Sequence, residues 1–285
     1  MKVVWTFDPF DKNNELHLIG KKLLISLFNR IDSLEAVYIA SNAEVELATA
    51  FSIPIEERYT EYPKKLIKNQ LKKLSFKNIH VEVVFEKSLS LTATVQKIVN
   101  YSKINNIDLI VTATNSKLKL PQFMFGGFAE SLVHISKCDL LTYHQKSKVS
   151  TKAPANIIYA HDFSLKGERG LCRLIEYVNK WGAVLTIVHV AIPDSTVGLQ
   201  VFKNKTKKYG DKLEIYLTEQ KVKYNLNIVY KISPIAETLF SISKKINADI
   251  IAVTAQSNKL TALLGGSVTR QVLRGSQLPT LVLKV

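Results

Sequence analysis

Cysteine is nearly absent from this 285-residue sequence, and Cys138 and Cys172 form neither a CxxC pair nor a zinc-ligand spacing. A disulfide framework and a structural metal cluster are thereby excluded. Both cysteines sit in apolar patterns, which predicts small buried hydrophobes. No apolar run approaches the roughly 18 residues that a membrane helix requires, so a spanning segment is not expected. The start, MKVVWTFDPFD, has one basic residue, a short apolar run and two aspartates. It lacks the long apolar stretch and small-residue cleavage site of a secretory leader, and a cytoplasmic location is expected. No GxSxG, HExxH, complete P-loop or GxGxxG fingerprint occurs.

What the chain has is positive charge. Its formal net charge is +15 and its pI is near 9.6. Residues 1–150 hold 20 Lys+Arg against 15 Asp+Glu, and residues 151–285 hold 19 against 9. Such a surplus attracts polyanions as a nonspecific field. The lysines fall mostly in helix-like stretches such as KKLIKNQLKKLSFKN (64–78), where Leu66, Leu71 and Leu74 share a face opposite a solvated lysine face. The stretch FKNKTKKYGDK (202–212) reads as a basic loop or frayed helix start. No aromatic-interleaved basic motif points to sequence-specific nucleic-acid reading.

The chain also repeats itself. VVWTFDPF (3–10) matches IIYAHDFS (157–164), and AVYIAS (36–41) matches TIVHVAI (186–192). IHVEVVFEKS (79–88) matches LNIVYKIS (226–233), and each leads into a helical pattern, at 94–106 and 235–247. IDLIVTATN (107–115) matches ADIIAVTAQ (248–256). A GG pair follows each, Gly126-Gly127 and Gly265-Gly266, and then a closing apolar run, DLLTYH or PTLVLKV. The segment 145–156 between the copies is polar and aperiodic and reads as a linker, giving domains at 1–146 and 154–285.

Each copy alternates short β-branched runs with helical patterns of a dozen or more residues. IDLIV and ADIIAV are continuous apolar runs, the mark of strands buried on both faces. Strands separated by helices imply right-handed crossovers and a parallel sheet. The expected fold class is α/β, with two tandem doubly wound five-stranded parallel-sheet domains. Ligands of such folds bind beyond the carboxyl ends of the strands. Asp8, Asp162 and both GG loops belong at those ends, facing one crevice in each domain.

This pattern resembles the universal stress protein (UspA) superfamily in tandem form, whose fold is similar to that of the adenine nucleotide alpha hydrolases. The resemblance covers nearly the whole chain and is strongest in IIYAHDFS, VLTIVHV and ADIIAVTAQSNKLTALLGGSVTRQVLRGSQLPTLVLKV. It implies that a first-strand aspartate and a hydrophobic residue ending the second strand hold adenine and ribose, while a G-x2-G-x9-G-[ST] loop holds phosphates. Carried over by position, the second copy offers Asp162, Val190 and the closing Gly266-Ser267-Val268. The loop's first two glycines fall at Val253 and Gln256 in one register, or at Thr254 and Ser257 in the other, and no register supplies glycine. The first copy offers Asp8, Ile39, Ala113, Ser116, Gly126 and Gly127, a more degenerate set. A phosphate cradle needs exposed backbone N–H groups at a helix N-terminus, in conformations that glycine reaches most readily.

The resemblance therefore implies ATP or AMP in the second domain, with Mg only alongside ATP, and a role in stress response exercised by binding and regulation. The alternatives are a nucleotide-independent stress protein acting through an unidentified protein partner, a weak ATPase or nucleotide-handling enzyme, and a basic nucleic-acid-associated protein. An ATPase needs a base or metal-binding acid near the phosphates, and the sequence places none there, so a non-enzymatic protein is expected. Family members of one domain pair through their last strands, which implies an internal pseudo-dimer here, with a further homodimer as an extension. Bland readings stand beside these. A strand-end aspartate caps the following helix, the GG pairs allow close loop-to-helix packing, and His161 and His189 pack structurally without a metal.

Overall fold

The computed structural model describes residues 1–10, 14–41, 60–73, 79–86, 90–114, 127–192, 199–230, 233–255 and 268–285. The chain divides into two compact units, Met1–Ser147 and Lys148–Val285.

In the first unit Lys2–Thr6 (β1) pairs in parallel with Ser33–Ser41 (β2) on one side and Leu109–Ala113 (β4) on the other. His80–Glu86 (β3) lies outside β2, and Asp139–Tyr143 (β5) lies outside β4. The strand order is therefore β3-β2-β1-β4-β5, with all described pairings parallel. The chain winds outward from β1 in one direction and then returns to wind in the other. With right-handed crossovers, that reversal puts helices on both faces. The helices are Asn14–Leu27 (α1), Tyr62–Lys73 (α2), Leu91–Ile104 (α3) and Phe128–Ile135 (α4). Val3, Val4, Trp5, Leu109, Ile110 and Val111 are fully buried, as a strand covered on both faces requires.

The second unit repeats this plan. Asn156–Ala160 (β6) is central, flanked by Val184–Ala191 (β7) and Ile250–Thr254 (β9). Tyr224–Tyr230 (β8) lies outside β7, and Thr280–Leu283 (β10) lies outside β9. Its helices are Leu165–Trp181 (α5), Leu199–Glu219 (α6), Ile235–Lys245 (α7) and Val268–Gly275 (α8).

The repeated residues outside the apolar runs have matching structural tasks. Asn106 and Asn247, with φ of 51° and 49°, take the left-handed turn that ends α3 and α7. Two residues later, Asp108 accepts a hydrogen bond from the N–H of Lys2 (2.8 Å), and Asp249 accepts from Ala155 and Asn156 (2.8 and 3.0 Å). Both aspartates hold the amino end of the sheet, away from the crevice.

Three expectations change. The buried face of α2 is Pro63, Ile67 and Leu71, at helical spacing, while Leu66 is only half-buried and Leu74 lies outside the described residues. Cys172 is exposed and Cys138 is half-buried. The buried side of α5 carries Gly170, Leu171, Leu174, Ile175 and Val178, and Cys172 follows Leu171 onto the outward side. The stretch 202–212 is regular helix, the front half of α6, because Phe202, Thr206, Gly210 and Leu213 recur at helical spacing against β8.

Candidate functional site

Backbone register makes the two candidate sites comparable residue by residue. The N–H of Phe7 donates to the carbonyl of Val37, and that of His161 donates to the carbonyl of Val188. Asp8 therefore stands against Ile39 as Asp162 stands against Val190. Trp5 is level with Val111 and Tyr159 with Ala252, so Ala113 and Thr254 are equivalent ends of β4 and β9. Asp8 and Asp162 are exposed, while Ile39 and Val190 are buried beside them.

In the second unit Asp162 does not itself cap α5. Its Oδ1 accepts from the backbone N–H and the hydroxyl of Ser164, at 3.0 and 2.6 Å. Ser164 is the N-cap, and its hydroxyl oxygen accepts from the N–H of Gly167. The carboxylate is thus fixed in direction by one oxygen, while Oδ2 takes no part in that turn. Asp8 makes a similar turn, accepting from the N–H of Phe10 at 2.9 Å.

The residues between differ. Phe163 adopts φ of 56°, a left-handed conformation that is costly for a bulky side chain. It packs tilted against His189, with centroids 4.0 Å apart, and stacks on Tyr209 of α6, 5.7 Å away. The first unit has Pro9 at this position, which cannot take a positive φ. There Phe10 meets Tyr38 and Tyr62 instead. Sequence reasoning found His189 but not its stack, because Phe163 and Tyr209 are 46 positions apart and only the docking of α6 joins them.

His161 lies beneath this layer and is 4% exposed. Its Nδ1 accepts from the N–H of Phe163, which fixes the neutral tautomer with the proton on Nε2. That Nε2 is buried with no hydrogen-bond partner. Burial lowers the imidazole pKa to about 4, with His189 adding to the effect and Asp162 opposing it. His189 is also lowered, chiefly by burial, and its Nδ1 meets the carbonyl of His161 at 2.8 Å. Both histidines serve packing and backbone contacts. Among the described residues no group of three or more His, Cys, Asp or Glu could hold a metal ion.

At the other side of the crevice, the Thr254 hydroxyl lies 2.6 Å from Tyr159 Oη, and the Thr254 carbonyl accepts from Thr269 Oγ1 of α8 at 3.1 Å. The first bond turns the hydroxyl into the core. The second brings the first turn of α8, with Val268 at its start, back to the end of β9. Ser257, Gly265, Gly266 and Ser267, like Ser116 and Gly126, lie outside the described residues. Gly127 is described and is the N-cap of α4, with φ of −62°; a Cβ there would meet nothing within 4 Å. Neither conformation nor close packing demands glycine at Gly127.

The carboxyl end of the second unit's sheet thus brings together a directed carboxylate, an apolar strand end and neighbouring aromatic rings. The first turn of α8 returns to the same end of the sheet, through Thr269 and the Thr254 carbonyl. No helix of the described chain is long and apolar enough to cross a membrane.

The universal stress protein family model matches residues 28–144 and again 155–284. A search of the curated proteins finds no significant match. Among solved structures, a universal stress protein from Archaeoglobus fulgidus DSM 4304 is similar at 18% identity and TM-score 0.70, covering 99% of this chain and 96% of that one. A protein described as a putative universal stress protein from Pseudomonas aeruginosa UCBPP-PA14 is similar at 12% identity and TM-score 0.63, covering 99% and 93%. A universal stress protein in complex with cAMP aligns with 46% of this chain and 98% of its own, at 18% identity and TM-score 0.35. With two successive matches to one domain model on two units of the same strand order, the chain belongs to the universal stress protein family, in tandem form.

Proposed function

We propose that the chain is a binding and regulatory protein of the stress response whose second unit takes an adenine nucleotide at the carboxyl ends of β6, β7 and β9. The observation that carries this reading is the Asp162 carboxylate, exposed at the strand end, aimed by its turn onto Ser164 and level with buried Val190. Asp162 accepts hydrogen bonds from the ribose or base, and Val190 packs against the base. The start of α8 at Val268, which Gly266 and Ser267 precede in sequence, is the side assigned to the phosphates, because a helix N-terminus favours anions. Ser257 belongs to the same loop. ATP or AMP is the ligand class, Mg enters only with ATP, and the role is non-enzymatic. The first unit's equivalent, around Asp8 and Ile39, contributes little.

One observation favours a second reading, a nucleotide-independent member acting through a protein partner. The Thr254 hydroxyl, which a phosphate loop would present to its ligand, is committed to Tyr159.

Native mass spectrometry of the freshly purified protein, followed by calorimetry with ATP and AMP, separates the two. Asp162→Ala is expected to weaken binding about ten-fold or more, because a hydrogen bond to a charged group contributes about 1.5–3 kcal/mol. Ser267→Ala should act similarly, and Asp8→Ala should change little. Equal loss from Asp8→Ala would place the site in the wrong unit, and no heat at millimolar nucleotide would leave the second reading.

A further inference from the structure

The front of α6 carries Lys203, Lys205, Lys207, Lys208 and Lys212, with Asp211 the only acid between positions 199 and 212. Its inward side is fixed by Thr206, Leu213 and Leu217, which are buried, and by Gly210, where a Cβ would come 2.9 Å from Ile228 of β8. These five lysines are consequently exposed.

The fold then gives this basic face aromatic partners that the sequence keeps apart. Tyr230 ends β8, which is the edge strand of its sheet among the described residues, and the residue is 39% exposed. Phe202 meets it edge-on at 6.3 Å, and Lys203 Nζ lies 5.7 Å from its centroid, within cation–π range. Seven positions after Phe202, Tyr209 closes the stack that begins at His189 and passes through Phe163, and it is 43% exposed. Two turns of helix, about 10 Å of rise, separate the helix positions that anchor the two exposed rings. A stacked strand advances about 3.4 Å per nucleotide, so about three nucleotides span that interval.

We propose that this face of the second unit binds single-stranded nucleic acid without base-sequence preference. The rings of Tyr230 and Tyr209 stack on unpaired bases, and the α6 lysines contact the phosphates between and beyond them. Stacking tolerates any base because every base has a π-face, and lysine side chains read the backbone alone. A duplex keeps its bases paired and offers the rings no partner. An acidic peptide satisfies the lysines but leaves both rings unused. Tyr209 is shared with the aromatic layer beside Asp162, while Tyr230 and the lysines belong to β8 and α6, so the proposal does not depend on nucleotide binding at the start of α8.

The test is fluorescence anisotropy with labelled oligouridylate and oligoadenylate of about 12 nucleotides, on the full chain, at about 50 and 200 mM salt. Both oligonucleotides should bind with similar affinity, more tightly than a duplex of the same length, and lose affinity steeply with salt. Tyr230→Ala and Tyr209→Ala should each weaken binding about ten-fold at unchanged salt slope, the effect of removing one stacked base. The triple change Lys203→Gln, Lys205→Gln, Lys208→Gln should flatten the salt slope. Lys180→Gln, Lys244→Gln, Lys245→Gln, an equal charge loss elsewhere on the same unit, should change affinity much less. The proposal is overturned if the two triple variants lose affinity equally, if duplex or polyglutamate competes as well as the single strand, or if the tyrosine variants bind normally while circular dichroism shows them folded.

Discussion

Tyr159 and Thr254 lock two strands of the second unit together by one hydroxyl pair, with their oxygens 2.6 Å apart. The Tyr159 proton goes to the carbonyl of Gly167 at 2.8 Å, so the Thr254 hydroxyl is the donor to Tyr159. Burial raises the phenol pKa further above its ordinary value and keeps it neutral. Thr254→Val should cost about 1 kcal/mol of stability, the worth of one neutral hydrogen bond, and leave ATP affinity unchanged. Chemical denaturation and calorimetry on the same variant check both halves. A loss of ATP affinity without a loss of stability would return Thr254 to the phosphate loop.

The same pair explains Gly170. A Cβ there would stand 2.6 Å from Tyr159 Oη. Alanine improves helix propensity by up to about 1 kcal/mol, but overpacking costs about 1–3 kcal/mol. Gly170→Ala should therefore be destabilising on balance, and Gly20→Ala likewise, since its Cβ would stand 2.7 Å from Trp5 Cζ2. Gly127→Ser should be neutral or slightly stabilising, because the position is open and an N-cap accepts serine. Urea midpoints of the three variants, read side by side, give the order.

Burial of His161 as a neutral imidazole makes the second unit acid-labile. Its pKa falls from 6.5 unfolded to about 4 folded. The unfolded chain binds the proton more readily, so the stabilisation is complete above pH 6.5 and is lost as pH falls through 4. The difference is about 3 kcal/mol at 1.36 kcal/mol per unit. The first unit carries Phe7 at this position, stacked on His17 at 4.2 Å. His161→Phe should flatten the stability profile between about pH 6.5 and 4. Urea unfolding at a series of pH values measures this, and an unchanged slope would show that His161 does not titrate there.

Cys172 should be the reactive thiol. It is exposed on α5, and its sulfur lies 3.1 Å from Tyr216 Oη, whose pKa is pushed up to about 12, chiefly by burial. A thiol-directed maleimide on the native protein should label Cys172 well before half-buried Cys138. Mass mapping after short exposure identifies the site, and labelling of Cys138 first would contradict the placement of α5.

The sequence by itself determined the tandem repeat, the five-stranded doubly wound parallel class of each unit and the strand-end positions of Asp8 and Asp162. Apolar runs buried on both faces and helix-length spacers leave few topologies, and right-handed crossovers leave fewer. The family resemblance named Ile39 and Val190, and the strand register then set them level with Asp8 and Asp162. The tertiary structure decided what each polar group does once it arrives. Thr254 reads as a loop hydroxyl until Tyr159 takes it, and Asp162 reads as a helix cap until Ser164 proves to be the capping residue. Phe163, Tyr209 and Tyr230 are isolated aromatics in the sequence and become neighbours of a lysine face only when α6 docks on β8. Strand and helix periods are local and survive in one dimension. Hydrogen-bond partners and ring contacts join residues tens of positions apart, and only packing selects among them.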